Sequence, residues 1–151
     1  MKVEELIKEG DTLRKKRKYE EALEILDKAI KIGSSDKRIV NILVKIGDDL
    51  RKQGEYEEAL KAYDKVLEIN PNDADTWYNK GNALYNLKRY EEALEAYERA
   101  IELDKEYTDA WYGKGSAYKS LNRYKEAKNA YKKAKKFYRR LIKEKEDNAE
   151  M

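Results

Sequence analysis

The feature that most constrains the fold of this chain is a repeat of about 34 residues. Glycine, tyrosine and alanine each recur four times, at successive intervals of 37, 34 and 34 residues. They are Gly10, Gly47, Gly81 and Gly115; Tyr19, Tyr56, Tyr90 and Tyr124; and Ala22, Ala59, Ala93 and Ala127. Because three residue types keep the same register, the chain is predicted to repeat one structural unit four times.

Each repeat has the pattern of two amphipathic helices. In the third repeat, Trp77, Gly81 and Leu84 fall on one helical face, and a second apolar face runs from Tyr90 to Ile101. A glycine inside a helix costs about 1 kcal/mol relative to alanine. The recurring glycines therefore predict close contact with the second helix of the repeat, and the tryptophan on the glycine face is predicted to be a core residue, as is Trp111.

The turn between the two helices of a repeat is predicted to need a residue in the left-handed conformation. Gly54 and Asn122 adopt that conformation readily, whereas Arg17 and Lys88 stand at the same position in the other two repeats. Acidic residues such as Asp73 suit the N-terminus of a first helix.

The segment WYNKGNALYNLKRYEEALEAYERAIELD, residues 77–104, resembles the tetratricopeptide repeat. The match lies in the period, in the opening Trp-x-x-x-Gly, and in the tyrosine and alanine of the second helix. Departures include lysine at positions 80 and 114, where the family usually has an aliphatic residue. The resemblance implies an all-α right-handed α-solenoid of four helix-turn-helix repeats forming a single domain, 1–151. The repeats are about 3–36, 40–73, 74–107 and 108–141.

The last helix is expected to be longer than the others. Its apolar stripe continues with Tyr138, Leu141 and Ile142, and no proline stops it. We predict an extended final helix to about Lys145, followed by a polar tail, 146–151.

In this family the first helices of the repeats line a concave groove that binds peptides. Tyrosine and asparagine can hold an extended segment through flat apolar contact and hydrogen bonds. The resemblance therefore implies a protein-protein interaction scaffold with a protein or peptide partner. The groove residues that it implies here are Asp48, Arg51, Lys52, Asp75, Tyr78, Asn79, Asn82, Tyr85, Asp109, Tyr112, Ser116 and Lys119.

Some members of the family hold the C-terminal carboxylate of chaperones in a two-carboxylate clamp of Lys, Asn and Arg side chains. Here Asn79 could fill one place, but the matching places hold Val44, Asp48, Asp109 and Gly113. Because two aspartates would repel a carboxylate, no chaperone-type two-carboxylate clamp is expected.

The composition argues against an enzyme. The chain has no cysteine and no histidine, which removes thiolate sites, the commonest general base and the commonest metal ligand. We predict no catalytic residues, no metal site and no cofactor. No apolar run is long enough to span a membrane, and a cytoplasmic protein with no membrane partner is expected.

Positive charge is concentrated near the end of the sequence. Residues 113–145 contain thirteen Lys or Arg and two Glu, whereas the formal net charge of the whole chain is only +3. One alternative function is therefore weak anion or nucleic-acid binding through the basic C-terminal helix. Nucleic acid is not the expected partner, because the tyrosines of that helix lie on its packing stripe.

A further alternative is a ligand-free or self-associating structural scaffold. The regular repeats and the enrichment in Lys and Glu suit a thermophile protein or a consensus-like, engineered chain. The edge that could form a weak homodimer consists of Tyr131, Phe137, Tyr138, Leu141 and Ile142.

Overall fold

The predicted all-α fold is confirmed. The computed structural model describes residues 2–151, which form eight α-helices and no strand. The first four are α1 Val3–Lys15, α2 Tyr19–Lys31, α3 Lys37–Lys52 and α4 Tyr56–Ile69. The second four are α5 Ala74–Asn86, α6 Tyr90–Leu103, α7 Thr108–Ser120 and α8 Tyr124–Ala149.

The contacts group the chain into two compact units, Met1–Asn72 and Asp73–Met151. Each unit contains two helical hairpins, which are the helix-turn-helix repeats expected from the sequence. In unit 1, α1 packs on α2 and α3 packs on α4, and α1 also adjoins α3. In unit 2, α5 packs on α6 and α7 packs on α8, and α7 adjoins both α5 and α6.

The two units fill their cores differently. Unit 1 buries branched aliphatic residues, among them Leu26, Ile39, Leu43 and Ile46. Unit 2 buries mostly alanines, with Tyr97 as its largest fully or almost fully buried side chain. The alanines let the helices of unit 2 approach closely. In each hairpin one tyrosine ring, Tyr97 or Tyr131, fills much of the space that remains between them.

The recurring glycines have the role predicted for them. A Cβ at Gly47 or Gly81 would lie 2.6 Å from the ring of Tyr63 or Tyr97, respectively, in the second helix of the same hairpin. At Gly115 the ring is that of Tyr131, at 2.7 Å, and at Gly10 the neighbour is the Leu26 side chain, at 2.6 Å. The absence of a Cβ therefore allows a large side chain of one helix to lie against the backbone of the other.

The turns inside the hairpins are left-handed, as predicted. Arg17, Lys88 and Asn122 have φ values of 62°, 61° and 61°, and Gly54 has a φ of 80°. At the end of α5, the Lys88 N–H donates to the Tyr85 carbonyl and the Arg89 N–H donates to the Leu84 carbonyl. This pair of bonds is a Schellman motif, which satisfies carbonyls left free at the helix end.

The assignment of the tryptophans to the core needs correction. Trp77 and Trp111 are only half-buried, whereas Thr76 and Ala110, the preceding residues, are buried. Cations lie over both indole rings, with Arg99 of α6 5.4 Å from the Trp77 ring centre and Lys133 of α8 4.7 Å from that of Trp111. The tryptophans thus lie in the seam between the helices of a hairpin, at its rim.

The final helix is extended, as predicted, and it runs further than expected. The polar residues after Lys145 continue the helix through Ala149, so α8 has 26 residues and α7 has 13. At 1.5 Å per residue the two helices are about 39 Å and 20 Å long. No helix in residues 2–151 is both long and apolar enough to cross a membrane.

Candidate functional site

The predicted groove residues of unit 2 lie on the two first helices of its hairpins. Asp75, Tyr78, Asn79, Asn82 and Tyr85 belong to α5 and recur at helical spacing. The adjoining helix α7 carries Asp109, Tyr112, Ser116 and Lys119. We call these nine residues the inner surface of unit 2.

Tyrosine rings organise the N-terminal half of this surface. The Tyr78 ring is half-buried, with its centre 5.2 Å from that of Tyr107 and 6.0 Å from that of Tyr97. The Tyr107 hydroxyl donates a hydrogen bond of 2.5 Å to Asp75. Burial, and next the hydrogen bond to Asp75, raise the pKa of Tyr107, so the phenol remains a hydrogen-bond donor.

Tyr112 is the most accessible ring of the inner surface. Its side chain is 43 % exposed, although one edge rests on Tyr131, with ring centres 5.8 Å apart. The residue after Tyr112 is a glycine for a steric reason that was not predicted from the sequence. A Cβ at Gly113 would lie 2.6 Å from the Tyr97 ring. The backbone of α7 therefore approaches α6 closely beside Tyr112.

Two polar residues of the inner surface form hydrogen bonds with tyrosines of the second helices, of which Tyr97 is buried and Tyr131 is half-buried. Asn82 accepts a hydrogen bond of 2.6 Å from the Tyr97 hydroxyl, and Ser116 shares one of 3.2 Å with the Tyr131 hydroxyl. A buried hydroxyl is costly without a partner, so these side chains have a structural role. Asn82 is half-buried and its carbonyl oxygen is engaged, so this predicted groove residue supports the surface from within.

The C-terminal half of the inner surface is tied together by another tyrosine. The Tyr85 hydroxyl and the Ser120 Oγ are 3.3 Å apart, which links α5 to the end of α7. The Tyr85 ring also meets Tyr90 edge-on at 5.2 Å. Lys119 is exposed in the last turn of α7.

In unit 1 the predicted groove residues do not form one cluster. Asp48 accepts a hydrogen bond of 2.7 Å from the Tyr63 hydroxyl, and Arg51 lies 3.4 Å from the same hydroxyl oxygen. This repeats the tyrosine arrangement of unit 2. Lys52 instead lines a separate cavity of about 540 Å³ with Arg14 and Asp49.

A cavity of about 520 Å³ opens between α1 and α3, and its wall includes Ile7, Asp11, Ile42 and Lys45. Partial burial tends to raise the pKa of Asp11, but hydrogen bonds from Arg14 and Lys15 outweigh it and lower that pKa. The wall therefore carries charges of both signs around an aliphatic floor.

The predicted self-association edge divides into two parts. Tyr131 packs over Gly115, and Phe137 packs against Trp111 with ring centres 6.3 Å apart, so both are engaged within unit 2. Tyr138, Leu141 and Ile142 are 53 %, 45 % and 39 % exposed. Only the last three remain as an accessible apolar strip.

Nothing in the described part of the chain forms a metal site. No group of three or more His, Cys, Asp or Glu side chains in residues 2–151 is arranged to hold a metal ion.

The buried tyrosine hydroxyls are satisfied by the neighbours described above, and no buried side-chain polar atom in residues 2–151 lacks a hydrogen-bond partner.

Comparison with protein families gives one consistent result. Three models described as tetratricopeptide repeat match residues 6–72, 44–108 and 87–139, which together span most of the chain. No curated protein matches the chain significantly.

Solved structures of repeat proteins resemble the chain. A structure described as the first tetratricopeptide repeat of Spaghetti (RPAP3) bound to the HSP90 peptide SRMEEVD is 28 % identical, with a TM-score of 0.65. The alignment covers 68 % of this chain and 81 % of that one. A crystal structure of MamA protein is 26 % identical, with a TM-score of 0.70, covering 93 % of this chain and 75 % of that one.

Proposed function

We propose, since this chain belongs to the tetratricopeptide repeat family, that it is a non-enzymatic scaffold that binds an extended segment of a partner protein. The proposed site is the inner surface of unit 2. The observation that carries the proposal is Tyr112, which is 43 % exposed in the middle of a surface whose other rings are packed. An exposed tyrosine on a rigid support offers flat apolar contact and a hydrogen bond at little entropic cost.

The charges of the inner surface favour a ligand with a basic side chain. Asp75 and Asp109 occupy the first turns of the adjoining helices α5 and α7, and both are exposed. The Tyr107 hydroxyl holds the Asp75 carboxylate in place. A lysine or arginine of the partner would meet two carboxylates there, and charge complementarity gives specificity to such a contact.

The same carboxylates argue against an acidic ligand. The related RPAP3 domain was solved with the acidic HSP90 peptide SRMEEVD, but here Asp109 would repel such a tail. The lack of a chaperone-type two-carboxylate clamp therefore forms part of the proposal. We expect the inner surface to select peptides that combine a basic residue with an aromatic or aliphatic residue.

The proposal is tested by selecting peptides from a random library on the intact chain and measuring their affinity by fluorescence polarisation. Tyr112→Ala should weaken the selected peptides about tenfold, which is about 1.4 kcal/mol. Tyr124→Ala is the matched control, because Tyr124 is 62 % exposed on α8 and lies outside the inner surface. Equal losses in the two variants, or selection of acidic peptides that resemble SRMEEVD, would contradict the proposal.

Asp109→Asn provides the charge test on the same surface. The change keeps the size of the side chain and removes one of the two carboxylates. Peptides with a lysine should lose affinity, whereas versions with the lysine replaced by glutamine should be unaffected. A loss that is the same for both peptides would show that the carboxylate does not contact the basic residue.

A further inference from the structure

The outer faces of α6 and α8 are equivalent in the repeat but opposite in charge. Residues 34 apart occupy equivalent positions in the two helices. Three acidic positions of α6 are replaced in α8 by one asparagine and two lysines. The acidic residues are Glu95, Glu98 and Glu102, and their replacements are Asn129, Lys132 and Lys136. Because both helices belong to unit 2, α6 serves as an internal reference for α8.

The cations of the two hairpins have different surroundings. In the third repeat, Arg99 over the Trp77 ring is paired with Glu102 at 2.8 Å. The equivalent cation of the fourth repeat is Lys133, over the Trp111 ring. Within residues 2–151, no carboxylate lies within 4.0 Å of the ammonium groups of Lys132, Lys133 or Lys136, so these charges lack an internal counterion.

These unpaired cations line a continuous path on the surface. A cleft of about 410 Å³ lies between Trp111 and α8, and Lys132 and Lys133 belong to its wall. A second cavity, of about 580 Å³, is lined by the same two lysines together with Lys135, Lys136 and Arg139. We call the five cations and Trp111 the basic face.

The aromatic rings beside the cleft hold cations rather than leaving their faces open. Lys114 lies 5.1 Å from the Trp111 ring centre and Lys133 lies 4.7 Å from it. Over the Tyr118 ring, Arg123 lies at 4.8 Å. A cation over a ring keeps its charge and is fixed in position, so these contacts preorganise donors for an anion and leave the rings poorly placed to stack on nucleic-acid bases.

Two other cations in this part of unit 2 form ion pairs with carboxylates of the same chain. Lys114 pairs with Glu98 of α6 at 3.6 Å, and Arg140 pairs with Glu106 just before α7. Along α8, Lys132, Lys136, Arg139 and Lys143 follow one another at spacings of four, three and four residues. That spacing forms one helical stripe, and it matches a partner helix whose acidic residues recur at the same interval.

We propose that the basic face binds an acidic helical segment of a partner protein, at a site separate from the inner surface of unit 2. The cations of the stripe pair with the carboxylates of the segment, and Lys133, held over the Trp111 ring, supplies one more cation at one end. Binding weakens as salt is raised, because the participating charges are at the surface.

The test uses a fluorescein-labelled peptide of 14 residues that is helical and carries glutamate at positions i, i+4, i+7 and i+11. Its control has glutamine at those four positions. The protein is the whole chain, with K132E/K136E as the test variant, because glutamate is the residue that α6 carries at both equivalent positions. The matched control is K16E/K18E, which makes the same change of charge at exposed positions of unit 1.

We expect K132E/K136E to weaken the glutamate peptide at least tenfold, and K16E/K18E to weaken it less than threefold. The glutamine peptide should bind at least tenfold more weakly than the glutamate peptide. In a Trp77→Phe background, the emission of Trp111 should change when the glutamate peptide binds, and Tyr112→Ala should leave its affinity unchanged. This last result separates the basic face from the inner surface.

Equal losses in the two charge-reversed variants would overturn the proposal, because they would report net charge alone. Absence of binding by the glutamate peptide at 50 mM salt would also overturn it. Tighter binding of a single-stranded oligonucleotide than of the glutamate peptide, again lost in K132E/K136E, would show that the basic face recognises phosphates and not an acidic protein segment.

Discussion

Replacing Gly81 by alanine should destabilise the protein, although alanine is the better helix former. A Cβ at Gly81 would lie 2.6 Å and 2.7 Å from two carbon atoms of the Tyr97 ring. That ring is 2 % exposed, and its hydroxyl is held by Asn82 at 2.6 Å. Because the ring is fixed at both its edge and its tip, it cannot move aside without disturbing the hairpin.

The expected size of the effect follows from two opposing contributions. Alanine gains about 1 kcal/mol over glycine inside a helix. Forcing an extra carbon into a packed interface typically costs about 1–3 kcal/mol, and two contacts shorter than 3 Å place Gly81→Ala in the upper part of that range. We therefore expect a net loss of about 1–2 kcal/mol in the free energy of unfolding.

The assay is chemical denaturation followed by circular dichroism, carried out as a double-mutant cycle with Tyr97→Ala. When the ring is absent, Gly81→Ala should stabilise the protein by up to about 1 kcal/mol. The effect of the same substitution should thus change sign between the two backgrounds. A neutral or stabilising effect in the presence of Tyr97, or the same effect in both backgrounds, would refute the close-packing explanation of the recurring glycines.

Three further predictions concern the turn, the buried phenols and self-association. Lys88→Gly should be neutral or stabilise by about 1 kcal/mol in thermal melting, because Lys88 has a φ of 61°; clear destabilisation would contradict a strained turn. Burial is the largest cause raising the pKa of Tyr63 and Tyr97 above 10, so stability should be complete below pH 10 and decline as pH rises beyond it. Absorbance at alkaline pH should therefore show late-ionising tyrosines, one fewer after Tyr97→Phe, and ionisation of every tyrosine near pH 10 in the folded protein would be inconsistent with this. The exposed strip containing Tyr138 and Leu141 should give weak dimers that strengthen with salt and disappear in the double glutamate variant, and light scattering from a strict monomer at high salt would exclude them.

The fold was predictable because its signals are local and repeated. A helical glycine has a recognisable cost, and its recurrence at Gly47, Gly81 and Gly115 identifies a close approach without any structure. The left-handed turn residues follow from the same register. The exposure of Trp77 was not predictable in this way. Periodicity shows which helical face carries a residue, but not how much of its side chain the second helix of the hairpin covers.

The chemistry of the inner surface was harder to predict than its location. Tyr63 pairs with Asp48 and Tyr97 pairs with Asn82, in both cases across a turn and 15 residues apart. No short sequence motif predicts such a pair. The sequence does contain a signal, since a polar residue follows the helical glycine directly and a tyrosine recurs 16 residues after that glycine. These positions together indicate that Asn82 supports the surface, and they leave Tyr112 as its exposed ring.

The basic face is recognised by comparing the residues of α8 with the residues at equivalent positions of α6. The excess of positive charge near the end of the chain is visible in the sequence. The sequence does not show that Lys133 of α8 lies over the Trp111 ring of α7. The position of Lys133 depends on a ring of another helix, which a single helical wheel does not contain, whereas Arg99 and Glu102 are three residues apart on α6.

The most direct test of the proposed function is to map where a selected peptide binds. Backbone amide shifts of the isotope-labelled chain are recorded by NMR as a library-selected peptide is added. The proposal predicts that the largest shifts fall in residues 75–85 of α5 and 109–119 of α7, and that Tyr112→Ala removes them. Shifts confined to residues 2–72, or to the outer faces of α6 and α8, would contradict the assignment of the inner surface of unit 2 as the peptide-binding site.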